Sequence, residues 1–530
     1  MRTPMRRTLA ATAAIVLTGA LVAAAPAQAK GPKGGHGDTV DTSALTDAVT
    51  VRGILSHLRA LQDIATANGG NRASGLPGHT ASADYVADQL EKAGYTVTRQ
   101  EFQFPFFQEL EPATLTQLTP VERDLETATF DYSGADDVTG AVVPTNDVVI
   151  PATEEPSSTS GCEPEDFEAA PADPAIALIQ RGSCDFAVKV ANAEAAGYDA
   201  VIIFNEGNPG RTDLTVGTLG GEAGVPVVGL SYADAVELIE QAESGTVTAH
   251  VTTKTENDPS RTTENVIADL SSKDAKKVKN PNDTVVVGAH LDSVAAGPGI
   301  NDNGSGSATI LEIAEQMSAL KLTKKLQRPV RFAFWGAEES GLLGAEHYVA
   351  SLSQAERDGI YANLNFDMVG SPNYVRFVYD GDGSSEDVAG PPGSGAIEKI
   401  FTDYFDGQGL ASAPTAFDGR SDYGPFIEAG IPAGGLFSGA EGEKTAEEAE
   451  IYGGTAGEAY DECYHSACDD ITNINDDALF ELGDAAAHAT AILTMSKTGL
   501  FPDGSFAPKH PGKGHAKGHG KAGQLAHAAR

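Results

Sequence analysis

Near the start of the chain, Val49, Ile54, Leu58 and Leu61 recur at helical spacing and predict an amphipathic helix. A second helix is predicted over 81–93, with Tyr85, Val86, Leu90 and Ala93 on one face. The glycine-rich run 69–78 between them reads as a loop. Alternation at Tyr95 and Val97, and again at Phe102 and Phe104, predicts a strand over 95–104. From about residue 131 the texture changes to short apolar runs at 147–151, 175–180, 200–204 and 225–230. Pro, Gly and acidic turns separate them, and a helix at 186–196 interrupts them. Residues 131–255 therefore read as a small, separately folded β-rich insert. Strand–helix alternation follows, the pattern of an α/β domain with a mostly parallel sheet. Strands are predicted at 284–289, 330–335 and 362–367, and helices at 307–320, 341–352, 397–404 and 477–496.

Both ends depart from these patterns. Arg2, Arg6 and Arg7 precede an apolar stretch from Leu9 to Ala25, and Pro26-Ala27-Gln28-Ala29 ends in the small-x-small form that signal peptidase cuts. Residues 1–29 thus predict a cleaved signal peptide and a secreted, extracellular protein, with 30–45 a flexible lead. Residues 501–530 mix Gly, Lys and His without hydrophobic periodicity and predict a disordered tail. The core of the chain divides into a first catalytic part at 46–130, the insert, and a second catalytic part at 256–500. A net charge of −39, from 36 basic and 75 acidic residues, argues against nucleic acid or an anionic membrane as partner. The cysteines Cys162, Cys184, Cys463 and Cys468 suit an oxidising destination. Proximity favours the pairs Cys162–Cys184 and Cys463–Cys468 among three pairings, and no C-x-x-C supports a thiolate metal site.

Three apolar strands of the α/β region each run into a residue of metal-ligand type. Val285–Ala289 leads into His290 and Asp292, 330–335 into Glu338 and Glu339, and Leu364-Asn365-Phe366 into Asp367. In an open parallel sheet, ligands sit at the carboxyl ends of the strands. Any one of these residues alone reads as a solvated loop residue; several at successive strand ends read as a site. Asp302 joins them from the glycine-rich loop 297–304. Oxygen and imidazole donors suit zinc, or less tightly manganese or cobalt. In the adjacent pair Glu338-Glu339 neighbouring side chains diverge, so one can bind metal while the other faces a water. Asp292 is placed to orient the His290 imidazole through its other nitrogen. Among the remaining histidines, His465 stands out, because a small Cys463–Cys468 loop would hold it and Tyr464 rigidly. His347 and His488 fall within predicted helices and read as structural, while His57, His79 and His250 follow no apolar strand of the α/β region.

The segments GAHLDS, GINDNGSG, WGAEESGLLGAEHY, NFDMVG, GRSDYGPF and CYHSACD together resemble the secreted bacterial di-zinc aminopeptidases. Their wider superfamily includes aminopeptidase Y and the transferrin-receptor-like proteins. The resemblance covers 46–130 and 256–498. It implies a zinc-exopeptidase, phosphorylase/hydrolase-like fold and two zinc ions per chain. His290 and Asp367 would hold one ion, Glu339 and His465 the other, with Asp302 bridging. Glu338 would be the general base, Tyr464 would stabilise the oxyanion, and Arg420 would contact substrate or product. Calcium effects known in the family are assigned to no residue here. Segments 148–151, 175–186 and 197–205 resemble the protease-associated (PA) domain, a module without chemistry of its own. Tyr423 departs from the family, where the S-D-H-x-P-F pattern often has a histidine.

The function implied is hydrolysis of the N-terminal peptide bond by a water held between two zincs, in a monomer acting on peptide N-termini, with a preference for apolar residues such as leucine. Glutaminyl cyclases generally work with one zinc, carboxypeptidase relatives need a basic pocket, and dead binding relatives lose ligands. The complete ligand set disfavours the first and the third, and Arg420 alone hardly supplies the basic pocket the second needs.

Overall fold

The computed structural model describes residues 40–171, 174–386 and 388–500. The predicted signal peptide, residues 30–39 of the lead and the C-terminal tail lie outside them; the end of the lead is not flexible chain but enters a short helix, Ser43–Thr46, with Leu45 buried in the main core. Among the described residues thirteen strands join into one hydrogen-bonded sheet. In chain order they are β1 (Thr96–Thr119), β2 (Arg123–Leu125), β3 (Asp136–Pro144), β4 (Ala175–Gln180), β5 (Ala200–Phe204), β6 (Val227–Leu230), β7 (Thr248–Asp269), β8 (Thr284–His290), β9 (Val330–Trp335), β10 (Ile360–Phe366), β11 (Phe377–Tyr379), β12 (Ala413–Thr415) and β13 (Ala433–Phe437). The main helices are α1 (Val51–Ala67), α2 (Pro77–Ala93), α3 (Phe186–Ala195), α4 (Tyr232–Ser244), α5 (Gly306–Ala319), α6 (Leu343–Ser351), α7 (Ser394–Gln408) and α8 (Asp476–Met495).

The functional half is built on the parallel pairs β10–β13, β10–β8 and β8–β9. Its strands are buried on both faces, as parallel strands covered by helices must be. Val285, Val287, Ala289, Phe332 and Phe334 pack into the main core with α1, α2, α5 and α8. The alternate residues Val286, Ala333 and Trp335 pack on the opposite face against Ala345 and Tyr348 of α6 and Phe426. Three parallel strands, β4 to β6, carry two further apolar clusters in the insert.

The two halves share strands. β7 pairs with β3 through Thr248–Thr253 and with β9 through Val266–Asp269, while β1 pairs antiparallel along most of its length. The strand expected at 95–104 therefore continues to Thr119. Glu109 and Glu111 face solvent there, the ribbon is paired to β7 along this length, and Leu115 returns to an apolar cluster of the insert. The run 147–151 is turn and irregular chain instead of a strand, and β3 takes its place in the insert. Helix α6 begins at Leu343 rather than Gly341, because Gly341 and Leu342 hold positive φ of 105° and 65°. Pro77 opens α2 four residues before its predicted start, as Pro does at a first helical turn. Both disulfides form as paired by proximity.

Candidate metal centre

Strand order brings the chemistry together. β10, β8 and β9 are side by side, so their carboxyl ends deliver Asp367, His290 and the Glu338-Glu339 pair to one place. Asp302 arrives from the irregular turn Ile300–Ser305 that precedes α5. His465, at φ 54°, comes from the loop closed by Cys463–Cys468.

The two carboxylate oxygens of Asp302 face different imidazoles. Oδ1 lies 3.2 Å from His290 Nε2 and Oδ2 lies 3.1 Å from His465 Nε2. Asp367 Oδ1 is 3.2 Å from His290 Nε2, and Glu339 Oε2 is 3.1 Å from His465 Nε2. Glu338 Oε2 stands further back, 3.8 Å from His290 Nε2. Donor atoms around a tetrahedral zinc with bonds near 2.0–2.1 Å sit about 3.3–3.4 Å apart. The four shorter spacings lie close to that edge. They form two donor groups that share Asp302, His290–Asp302–Asp367 and Asp302–Glu339–His465.

Charge points the same way. Four carboxylates and two imidazoles are packed into a largely buried site, and buried anionic charge of that density calls for cations. Burial alone would push both imidazoles down. The charges of Asp367 and Glu338 outweigh it at His290 and hold its pKa well above the usual range. At His465 the charge of Glu339 and the hydrogen bond to Asp302 raise it to about 10. For Asp302, hydrogen bonds from the two imidazoles outweigh burial and hold its carboxyl well below the usual range. Each imidazole thus sits where a positive charge is favoured.

The surroundings fix these donors. His290 Nδ1 lies 3.2 Å from the Asp292 carbonyl oxygen, an acceptor only, so Nδ1 carries a proton, and a cation at the centre would take the place of the proton on Nε2. The Asp292 carboxylate is further away, at 3.6 Å, and accepts the Glu338 amide at 3.3 Å. Asp292 orients the ring chiefly through its backbone, which its type and spacing did not foretell. Ser421 donates to Asp367 Oδ2 at 2.5 Å and accepts from Asn365 Nδ2 at 2.7 Å. At the rim the Tyr464 ring stacks on His465, with centroids 3.8 Å apart. Arg420 Nη2 donates to Tyr464 Oη at 3.3 Å while Nη1 donates to Glu441 Oε1 at 2.7 Å. Tyr423 is buried behind, where Oη donates to Asp418 at 2.7 Å.

Every residue singled out for chemistry thus lies at or beside this centre. Sequence reasoning missed its supports: Arg72, Asp461, Asp469, Asn301 and Ser421. Arg72 is wholly buried and donates to the carbonyls of Leu291, Pro298 and Gly299. Its only signal in the sequence was a cation inside a glycine-rich loop. The histidines set aside lie elsewhere: His57 on Tyr85, His79 on the Glu264 carbonyl, His250 on Asp137, His347 against Phe102, and His488 on Thr42.

Comparison with known proteins agrees with this geometry. Residues 265–490 match Peptidase family M28 and residues 138–238 match the PA domain. An aminopeptidase of Pseudomonas aeruginosa is 48% identical over 454 residues, 84% of this chain and 81% of that protein. Leucine aminopeptidase 2 of Arthroderma otae is 39% identical, covering 87% of this chain and 88% of its own. Among solved structures, the aminopeptidase from Aneurinibacillus sp. strain AM-1 is similar at a TM-score of 0.66 and 28% identity, covering 86% of this chain and 97% of that one. A zinc aminopeptidase from Bacillus subtilis is similar at 0.61 and 27%, covering 86% and 99%. The chain belongs to peptidase family M28, as a zinc metallo-aminopeptidase with an inserted PA domain.

Proposed function

We propose that the chain is a secreted, monomeric di-zinc aminopeptidase that removes apolar N-terminal residues, leucine among them, from peptides. The observation that carries the two-metal reading is the division of Asp302, with one oxygen toward His290 and the other toward His465. His290 and Asp367 would hold one zinc and Glu339 and His465 the other, with Asp302 offered to both. The pair, when bound, acidifies a water and polarises the scissile carbonyl. Glu338 stands outside both donor groups at 3.8 Å from His290 Nε2, within reach of a water at the centre. Its carboxylate takes the proton of the attacking water and passes it to the leaving amine. The Tyr464 hydroxyl, which accepts from Arg420 at the rim of the centre, would donate to the oxyanion that develops on the carbonyl. Arg420, exposed beside Glu441, is placed to meet substrate beyond the cleaved bond. The preference for leucine follows leucine aminopeptidase 2 of Arthroderma otae. Among the described residues no helix is long and apolar enough to cross a membrane.

The test uses leucine p-nitroanilide and its N-acetylated form, with the enzyme native, chelated, and reloaded with zinc. The reading requires two zincs per chain and cleavage of the free-amine substrate alone. That activity must vanish on chelation and return with zinc. Glu338→Gln should keep both zincs and lower kcat by roughly 100-fold or more. An active Glu338→Gln enzyme, or full activity with one zinc, would refute it.

A further inference from the structure

The loop that carries Asp302 meets the loop that carries His465 chiefly through the backbone contacts of one residue. Asp469 directly follows Cys468, the second half of the disulfide. Three consecutive amides of the Asp302 loop converge on it. Ile300 N donates to its backbone oxygen at 3.0 Å, Asn301 N to Oδ1 at 2.8 Å, and Asp302 N to Oδ2 at 2.9 Å. A second acid, Asp461, secures the other end of the disulfide loop. It accepts from Cys463 N at 2.9 Å and from Asn301 Nδ2 at 2.6 Å. Asn473 ties the two acids together, donating to Asp461 Oδ1 and Oδ2 at 2.9 and 3.0 Å and to Asp469 Oδ1 at 3.2 Å. All four side chains are buried.

We propose that Asp469 is a positioning residue for the metal pair: by gripping the backbone of Asp302 from the His465 loop, it sets the distance between the two donor groups. The inference rests on the two-metal reading above. It follows from where the forces act. Asp302 is the one donor common to both groups, and its carboxylate serves both only if its Cα is held against both His290 and His465. His290 is fixed by β8, a core strand. His465 lies on a partly exposed loop whose own closure spans a sequence separation of only 5. The disulfide shapes that loop internally but does not attach it to the Asp302 loop. Asp469 makes that attachment, with two side-chain bonds of good length to successive amides. An ordinary cap for the turn Ile300–Ser305 is the plainer role for the same contacts, and it would affect folding without affecting metal affinity.

Asp469→Asn separates the two. An asparagine has a single acceptor oxygen, so one of the two side-chain bonds is replaced by an NH2 group facing an N–H. Zinc affinity would be measured by competition with a chelator, and kcat and KM on leucine p-nitroanilide across free zinc concentration. The expected result is a loss of affinity for the weaker zinc of about 10–100-fold, the size typical of groups that support metal ligands. At low zinc kcat falls; at high zinc most of it returns with KM within about twofold of wild type. Asn473→Ala, which leaves both acids in place, should shift affinity the same way by a smaller factor. It decides the matter alone if Asp469→Asn does not fold. Wild-type zinc affinity in the folded variants, or activity lost with both zincs bound, overturns the inference. A wild-type enzyme that binds fewer than two zincs sinks the two-metal reading itself, and this inference with it.

Discussion

Arg72→Lys tests how far the centre depends on geometry rather than charge. The Arg72 guanidinium is fully buried and spreads its donors over three carbonyls: Nε to Pro298 at 2.8 Å, Nη1 to Leu291 and Nη2 to Gly299. Burial pushes its pKa down to about 10, against the pull of Asp292, Asp469, Asp302 and Glu339. The residue therefore stays charged at neutral pH. Lysine keeps the charge but concentrates its donors at one point and cannot match the fork. Two of the three carbonyls would lose a charged donor, at about 1.5–3 kcal/mol each, so about 3–6 kcal/mol in all. Local relaxation places the expected loss toward the lower end of that span. The assay is denaturant unfolding of the chelated enzyme, followed by fluorescence of Trp335. That residue is the only tryptophan of the chain and is buried at the end of β9. Chelation removes the linkage between zinc and folding, which would otherwise mix two effects. A loss below about 0.5 kcal/mol, the range of ordinary surface substitutions, would refute the reasoning.

The two disulfides should separate stability from activity. In the chain-entropy account Cys162–Cys184, with a sequence separation of 22, contributes about 3 kcal/mol and Cys463–Cys468, with 5, about 2 kcal/mol. Serine replacement of the first pair should cost more stability and leave kcat unchanged, whereas replacement of the second should cost less and lower kcat through His465; the opposite order in either measurement counts against this. His488 gives a pH signature. Burial pushes it to about 4 from an ordinary 6.5, and its Nδ1 lies 2.8 Å from Thr42 Oγ1. The native state therefore binds fewer protons than the unfolded chain between pH 4 and 6.5, and stability falls as pH drops through that window. For a partly solvated group the loss is about 1–2 kcal/mol. Asp484 on the same helix, raised to about 6 by burial and the charge of Asp47, acts with the opposite sign. The measurement is therefore the thermal midpoint of wild type minus His488→Gln from pH 4 to 7, and a flat difference would rule the mechanism out.

The centre was legible in the sequence to the extent that one physical rule reached it. Parallel strands buried on both faces appear as unbroken apolar runs, and the polar residue that ends such a run marks the sheet edge where ligands collect. That rule gives His290, the Glu338-Glu339 pair and Asp367 without knowledge of strand order, and the observed order β10–β8–β9 makes their ends neighbours. It does not reach Asp302 or His465, which come from loops; there motif resemblance and the short cysteine spacing supplied the signal. The β1–β7 ribbon was legible only at its first end, because the exposed run 109–112 interrupts the apolar alternation before buried Leu115 resumes it.

What remained hidden has a common cause. Arg72 and Asp469 bond mainly to backbone carbonyls and amides of other loops, and a backbone partner has no residue type for a sequence pattern to reveal; Asp461 and Asn301 bond to each other across 160 positions, beyond the reach of any local pattern. Yet these contacts decide the geometry. The loop from Pro298 to Asp302 is gripped at its carbonyls by a cation and at its amides by an anion, from elements far apart in the chain. Such a loop has its donors used on one side and its acceptors on the other, so it cannot slide toward either partner without breaking charged bonds in a dry site. The Asp302 carboxylate is thereby left little freedom except rotation about its own bonds. If Asp302 serves both donor groups as proposed, a backbone held in this way keeps it between a core strand and a disulfide-closed loop.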